Sequence, residues 1–231
     1  KMTSSGTYSF APSNGELVLS AFERIRLRLP SLRQEHFRTA RQEMNFMQAS
    51  MSNLQPNLWK VETGAISLVQ GTPTYDITAR TVMILDAYLT LNNGATNQTD
   101  RILIPVSRSE YASYATKFTH GPPTIYWFDR LISPTLTTWP VADGNGPYVI
   151  NYYACVQTQD ASLTSGQTPD IPYLWIDAYV AGLAHRLARV YAPDLEQMRK
   201  QDAQDAWNIA AEQNTEYVPM KIQPSIGRYY P

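Results

Sequence analysis

Residues 172–191 read PYLWIDAYVAGLAHRLARVY, and this stretch decides the fold. Apolar side chains occupy most positions around its helical wheel, so we expect other parts of the chain to surround the helix predicted here. Pro172 suits the first turn of a helix, where a missing backbone N–H costs nothing. Ala192-Pro193-Asp194 breaks the pattern, and a further helix is predicted from there to about Asn214. That last helix is expected to bury one side, made of Leu195, Met198, Ala206, Ile209 and Ala210.

Two more helices are predicted near the start of the chain. Ser13 followed by Glu16 has the spacing of a capping box, in which hydroxyl and carboxylate accept from the free amides of the first turn. Pro30 ends this helix, and Ser31 with Gln34 repeats the pattern for the next. We expect the two helices to form an antiparallel hairpin with a very short turn. Their apolar stripes are Leu17, Val18, Ala21, Phe22, Ile25 and Leu29, then Phe37, Ala40, Met44, Met47 and Met51.

Between the two pairs of helices, the helical period gives way to short runs rich in β-branched and aromatic residues. Turn signals such as Asn92-Asn93-Gly94 separate these runs. Residues 143–147, DGNGP, are expected to close a β-hairpin between the last two strands. Strands are predicted at 58–69, 75–90, 102–105, 124–128, 136–139 and 148–156, and a short helix at 107–117.

The order of these elements predicts an α+β fold. Helices at the two ends of the chain most simply close into one discontinuous bundle of two N-terminal and two C-terminal helices. The predicted regions are a helical bundle at 1–55 and 170–214, an inserted antiparallel β sandwich or barrel at 56–169, and an extended C-terminal tail at 215–231.

The tail, TEYVPMKIQPSIGRYYP, has an unusual composition for a chain end. Its three prolines exclude a continuous helix, yet it is rich in apolar and aromatic residues, whereas a solvated tail is usually polar. We therefore expect it to dock on a partner subunit. The residues predicted to dock are Tyr217, Val218, Met220, Ile222, Ile226, Arg228, Tyr229 and Tyr230.

The composition narrows the classes of function. A net charge of −1 provides no overall field that would steer the chain to nucleic acid. Fifteen Tyr and five Trp beside six Phe favour protein–protein contacts, a Tyr-rich β core, or both. No membrane-spanning run or signal peptide is found in the sequence, so we expect a protein made in the cytoplasm that does not enter a membrane.

No pattern of catalytic or ligand-binding residues emerges from the sequence. Motifs for phosphate loops, dinucleotides, metalloproteases and serine hydrolases are absent, so no catalytic residue and no cofactor are predicted. The three histidines are far apart along the chain, and no metal site is predicted. The single cysteine, Cys155, excludes an intramolecular disulfide and is expected to be a small buried hydrophobe.

Arginines crowd the first two predicted helices. Arg24 and Arg28 are expected to share one helical face. A solvated face with ion pairs between subunits is the favoured interpretation, and contact with phosphates or an acidic partner is the alternative. The candidate residues for these contacts are Arg24, Arg28, Arg33, Arg38 and Arg41, and Arg26 lies among them.

Several stretches together resemble a known family. They are NLWKVE at 57–62, GPPTIYWFDR at 121–130, TTWPVADGNGPYVINYYA at 137–154 and, most strongly, TPDIPYLWIDAYVAGLAHRLARVYAPD at 168–194. From about Ser13 onward, the chain resembles the head-to-tail adaptor (connector) proteins of short-tailed bacteriophages.

The resemblance implies a structural virion protein of the phage neck rather than an enzyme. It implies a homo-oligomeric ring, usually of twelve copies, that joins the portal protein to the tail and nozzle proteins. Genomic DNA would pass through the ring without sequence-specific contact. The arginines would then lie at subunit contacts or along the channel, and residues 217–230 would dock on the portal.

Two other classes of function stay open. One is a tail-associated hydrolase built on the β region, for which Asp129 and Asp143 are the first carboxylates to consider. The other is a binding module in which Tyr126, Trp127 and Trp139 recognise a glycan or a protein. Converging carboxylates would favour the first alternative, and an exposed aromatic platform would favour the second.

Overall fold

The computed structural model describes residues 6–164, 166–212 and 214–215, and its fold is of the α+β class. In these residues, short 3-10 turns at 29–31, 58–60, 173–175 and 193–195 accompany the longer elements. The α-helices are α1 (Asn14–Arg24), α2 (Gln34–Leu54), α3 (Arg108–Ser113), α4 (Ile176–Tyr191) and α5 (Glu196–Glu212). The strands are β1 (Val61–Ser67), β2 (Thr74–Asp76), β3 (Thr81–Leu91), β4 (Thr99–Ile102), β5 (Ile104–Pro105), β6 (Ile125–Asp129), β7 (Thr135–Trp139) and β8 (Tyr148–Val156). None of the described helices is both long and apolar enough to cross a membrane.

Helix α4 is the centre of the helical core, as its sequence predicts. It has more buried residues than any other described helix, and Leu183 and Leu187 are completely buried. Helices α1, α2 and α5 all pack on it. The predicted hairpin of the first two helices is wrong: α1 and α2 meet mainly where Phe22 contacts His36 and Phe37, and otherwise each packs on α4. Because α4 is apolar around most of its circumference, α1 and α2 pack on it rather than on each other.

The start of α1 confirms the first capping box. The Ser13 N–H donates to a Glu16 carboxylate oxygen at 2.7 Å, and the Glu16 N–H donates to the Ser13 hydroxyl at 3.3 Å. The second capping prediction is wrong, because Ser31 lies in a 3-10 turn and α2 begins after Arg33. There the Arg33 N–H donates to His36 Nδ1 at 3.0 Å, so an imidazole replaces the expected Ser-Gln pair.

Helix α1 is also shorter than its apolar stripe predicts. It ends at Arg24, and Arg26 has a left-handed backbone with φ of 66°. Leu29 therefore lies beyond the helix and is exposed rather than buried. Because the helix ends before Arg28, Arg24 and Arg28 do not share a helical face, and that prediction is wrong.

The strands form two four-stranded sheets, with the orders β1-β8-β3-β4 and β2-β7-β6-β5. All their pairs are antiparallel except β5 with β6, which is parallel. Side chains from both sheets meet in one apolar cluster that includes Leu89, Tyr126, Leu136 and Ile150. Strand β8 has the predicted bounds, and Cys155 at its end is buried as predicted.

Two predictions for the β region are corrected by the sheet topology. Residues 143–147 do not close a hairpin, because β7 and β8 belong to different sheets. Pro140 and Pro147 flank this loop, and a residue without an N–H cannot continue a ladder of paired strands. The run predicted at 75–90 is also divided, since β2 joins one sheet and β3 joins the other.

Candidate interaction surfaces

The predicted docking tail lies almost entirely outside the described residues, which end at Thr215. The residues concerned are Tyr217, Val218, Met220, Ile222, Ile226, Arg228, Tyr229 and Tyr230. The structure does fix the point from which this segment departs. The Asn214 side chain donates to the Pro56 carbonyl at 2.8 Å and accepts from the Leu58 N–H at 3.3 Å. The end of α5 is therefore tied to the connection between α2 and β1.

Aromatic and charged side chains hold this connection together. Trp175, almost fully buried, lies between Trp59 and Trp207, with ring centroids 4.8 Å from each. Beside them, Lys60 Nζ lies 2.8 Å from an Asp170 carboxylate oxygen. Burial alone would raise the pKa of Asp170, but the hydrogen bonds from Lys60 and from the Gln159 N–H, together with the Lys60 charge, lower it below its usual value. The segment that follows α2 and the segment that precedes α4 are thus held against each other at one place.

The predicted arginines fall into two groups. Arg24 is half-buried, and its guanidinium lies 2.7 Å from Asp177 on α4, so it ties two helices of the same chain together. Arg28, Arg33, Arg38 and Arg41 are exposed. Only this second group is available to a partner.

We call residues 26–41 the arginine segment. It contains five exposed arginines and one acidic residue, Glu35. No arginine of the segment forms an ion pair with another described residue. Arg38 and Arg41 are one helical turn apart and line an open cleft of about 680 Å³ between α2 and residues 162–164. The segment is therefore a positively charged surface without a counterpart in the part of the chain that the structure describes.

Helix α5 presents the opposite charge, which the sequence analysis missed. Met198 and Ile209, predicted to be buried, are 46% and 70% exposed. The helix instead turns Trp207 and its small residues toward the core, with Ala210 fully enclosed. The spacing of Ala203, Trp207 and Ala210 was the available signal, but the larger apolar side chains on the opposite face obscured it.

The exposed face of α5 is a narrow stripe parallel to the helix axis. Helical geometry places five residues within less than a quarter of the circumference. We call them the outer stripe: Met198, Asp202, Asp205, Ile209 and Glu212, all exposed. It has three carboxylates and no basic residue, although Asp202 also pairs with Arg199 at 3.0 Å.

A third uncovered surface is apolar. Phe10, Tyr173 and Leu174 are each more than 60% exposed, and they border a groove of about 440 Å³ between α1 and the start of α4. Phe10 and Tyr173 contact each other edge to face, with ring centroids 6.3 Å apart. Exposed apolar surface of this kind is typical of a subunit contact.

The carboxylates considered for a hydrolase already have partners. Asp129 lies 3.1 Å from the Arg108 guanidinium. Asp143 accepts hydrogen bonds from the Asn145 N–H at 3.0 Å and the Tyr148 hydroxyl at 2.8 Å, and these lower its pKa. A lowered pKa is unsuited to a general acid at neutral pH. Among the described residues, no group of three or more His, Cys, Asp or Glu is placed to hold a metal ion.

The aromatic side chains considered for a binding module are also partly covered. Tyr126 points into the core, where burial and the charge of Asp86 raise its pKa to about 12. Trp127 stacks with Tyr111 at 5.4 Å, and Trp139 stacks with Tyr114 at 4.6 Å. The predicted platform thus loses one ring to the core, and each indole has one face covered.

These surfaces are the features of the described residues that bear on function. The strongest of them are the arginine segment, in the α1–α2 connection and the start of α2, and the outer stripe of α5, and the two have opposite charge. No protein-family model matches the chain, and the search of curated proteins found no match.

Proposed function

We propose that this protein is a structural virion component: an oligomeric adaptor ring that joins the phage portal to the tail and continues the DNA channel. The observation that carries the proposal is that the helices present charged and apolar surfaces that no described residue covers. Phe10, Tyr173 and Leu174 are exposed together around one groove, and contiguous apolar surface of this kind marks a contact with another protein, which isolated exposed residues do not. A ring subunit would cover such surfaces with its neighbours.

The finer architecture follows from the same proposal. The helices at 1–55 and 170–214 would form one discontinuous bundle, with the two sheets at 56–169 as an inserted sandwich. About twelve copies would surround DNA that passes without sequence-specific contact. The portal would bind one side of the ring, the tail or nozzle proteins the other, and the assembled protein would lie in the virion neck.

Imaging the protein together with its portal tests the ring directly. We expect negative-stain images to show a closed, symmetric ring on the portal. A protein that stays monomeric on mixing with the portal would overturn the proposal. A ring that formed but did not bind the portal would place the protein in a different assembly and reject its role between portal and tail.

Removing residues 216–231 tests the role of the C-terminal segment. We expect the truncated chain to keep its thermal unfolding transition, because Asn214 and the contacts that it makes remain. Portal attachment, measured by co-sedimentation, should be lost. The control replaces the same sixteen residues with a Gly-Ser sequence of equal length. If truncation unfolded the protein, the segment would be part of the core rather than a docking element.

A further inference from the structure

We propose that the arginine segment of one copy binds the outer stripe of α5 on a second copy. This inference rests on the proposed function, since it assigns the contact that would build the ring. The partner is thus a second copy of this chain, and the contact is head to tail. Each copy contributes its positive surface to one neighbour and its negative surface to the other.

Charge is the first argument for this pairing. The arginine segment has five arginines against Glu35, and the outer stripe has three carboxylates and no base. No arginine of the segment has an acidic partner among the described residues, and neither Asp205 nor Glu212 has a basic one. Opposite potentials of this kind steer association and fix the orientation of the partners.

Apolar side chains give the second argument. Met198 and Ile209 are exposed between the carboxylates of the outer stripe. On the other surface, Leu29 lies inside the arginine segment and is 64% exposed. Both surfaces thus combine charge with apolar area, which is the composition of a protein interface rather than of a purely electrostatic one.

The geometry of the two helices also agrees with the pairing. Arg38 and Arg41 are about one helical turn apart, and so are Asp202 and Asp205. If α2 of one copy lay alongside α5 of another, each arginine could therefore lie opposite one carboxylate. The outer stripe extends about 21 Å from Met198 to Glu212, at about 1.5 Å per residue. It therefore has room for several arginines.

The position of the surfaces explains why one chain does not satisfy its own charges. Helices α2 and α5 both pack on α4, and among the described residues no ion pair joins the arginine segment to the outer stripe. Since they are different surfaces, the contact between copies is heterologous. Each added copy leaves one surface of each kind open, and such a series closes into a ring when the rotation between copies permits.

Charge reversal tests the contact. Variant A carries Arg38→Glu and Arg41→Glu, and variant B carries Asp205→Arg and Glu212→Arg. In each variant alone, the substituted residues meet side chains of the same charge on the neighbouring copy. We therefore expect self-association, measured by sedimentation velocity, to weaken by at least about a hundredfold. A one-to-one mixture of A and B pairs opposite charges at every contact, and association should return. The wild-type association should weaken as NaCl is raised.

The matched control is Arg101→Glu with Arg130→Glu. These arginines are also exposed, form no ion pair with another described residue, and lie in the β region. The control changes net charge as variant A does, and its association should match that of the wild type. Circular dichroism of every variant checks that the fold is kept.

Three results would overturn the inference: a wild type that stays monomeric at all concentrations, variant B associating like the wild type, or a mixture of A and B that fails to associate. If variant A lost only binding to duplex DNA, the arginines would contact nucleic acid instead. Failure here is distinct from failure of the adaptor proposal. If a ring forms regardless of these charge reversals, the adaptor proposal stands and the proposed contact is wrong. If the mixture of A and B associates into open chains instead of rings, the proposed contact stands and the ring is wrong.

Discussion

At the scale of single residues, Arg26 has a backbone conformation that arginine does not favour. It has φ of 66° directly after α1, where the chain turns back. The Arg26 N–H donates to the Glu23 carbonyl, and the Leu27 N–H donates to the Phe22 carbonyl, each at 3.0 Å. These two bonds form a helix-ending motif that usually has glycine at the left-handed position. An arginine there is strained, because its Cβ crowds the backbone.

We therefore expect Arg26→Gly to raise the free energy of unfolding by up to about 1 kcal/mol. Urea unfolding at high salt, where association between copies is weakest, measures it. Arg28→Gly is the control, because Arg28 is exposed and has an ordinary φ of −108°. That change should leave stability unchanged or lower it slightly. A destabilised Arg26→Gly variant would mean that the arginine side chain makes a contact worth more than the strain.

At the scale of elements, the pairing of β1 with β8 depends on a close approach between a glycine and an aromatic ring. Gly64 lies opposite Tyr152 in the register of the two strands. The Tyr152 ring covers Gly64 so closely that a Cβ there would overlap it. Tyr152 is itself nearly buried, and burial raises the pKa of its hydroxyl. The absent side chain is thus part of the packing of this sheet.

Gly64→Ala is expected to lower the free energy of unfolding by about 1–3 kcal/mol, because the ring must leave its place. Gly15→Ala is the matched control, since a Cβ at Gly15 in α1 would lie 3.9 Å from the Ser13 hydroxyl oxygen, an ordinary contact distance. That change should stabilise the protein by up to about 1 kcal/mol, because alanine favours a helix. Thermal unfolding of both variants gives the comparison. Equal effects of the two substitutions would contradict the packing argument.

At the scale of the whole molecule, the connection between helices and sheets is held by the ion pair of Lys60 with Asp170, next to the cluster of Trp59, Trp175 and Trp207. Both partners are largely buried, with side chains 14% and 26% exposed. The pKa of Asp170 is lower in the folded protein than in the unfolded chain. The carboxylate form is therefore favoured by folding, and its contribution is present at neutral pH.

Asp170→Asn is expected to lower the free energy of unfolding by about 1–2 kcal/mol at pH 7, where a charged hydrogen bond is lost. This contribution begins to fall below the ordinary carboxyl pKa of 3.8 and is lost as the pH drops through the lowered pKa of Asp170, so the two proteins should converge there. Unfolding curves at pH 7 and at successively lower pH, down to about pH 2, measure this. The neighbouring and exposed Asp160, changed to asparagine, should show no such pH dependence. A difference that persisted in acid would mean that the amide disturbs the packing and not the ion pair.

The sequence by itself determined the features that depend on near neighbours along the chain. The capping box at Ser13, the burial of α4 and the bounds of β8 all follow from spacing over a few residues. The α+β class follows from the order of these elements, and the crowding of arginines from their number. Of the docking tail at 215–231, only Thr215 lies in the described part, directly after Asn214.

Tertiary structure alone decided which of these residues meet. It set Arg24 apart from its neighbours by pairing it with Asp177, turned Met198 and Ile209 away from the core, and placed β7 and β8 in different sheets. The physical reason is that a helix or strand can bury either of two faces at similar local cost. The choice depends on the shape of the partner surface, and residues far along the chain supply that surface.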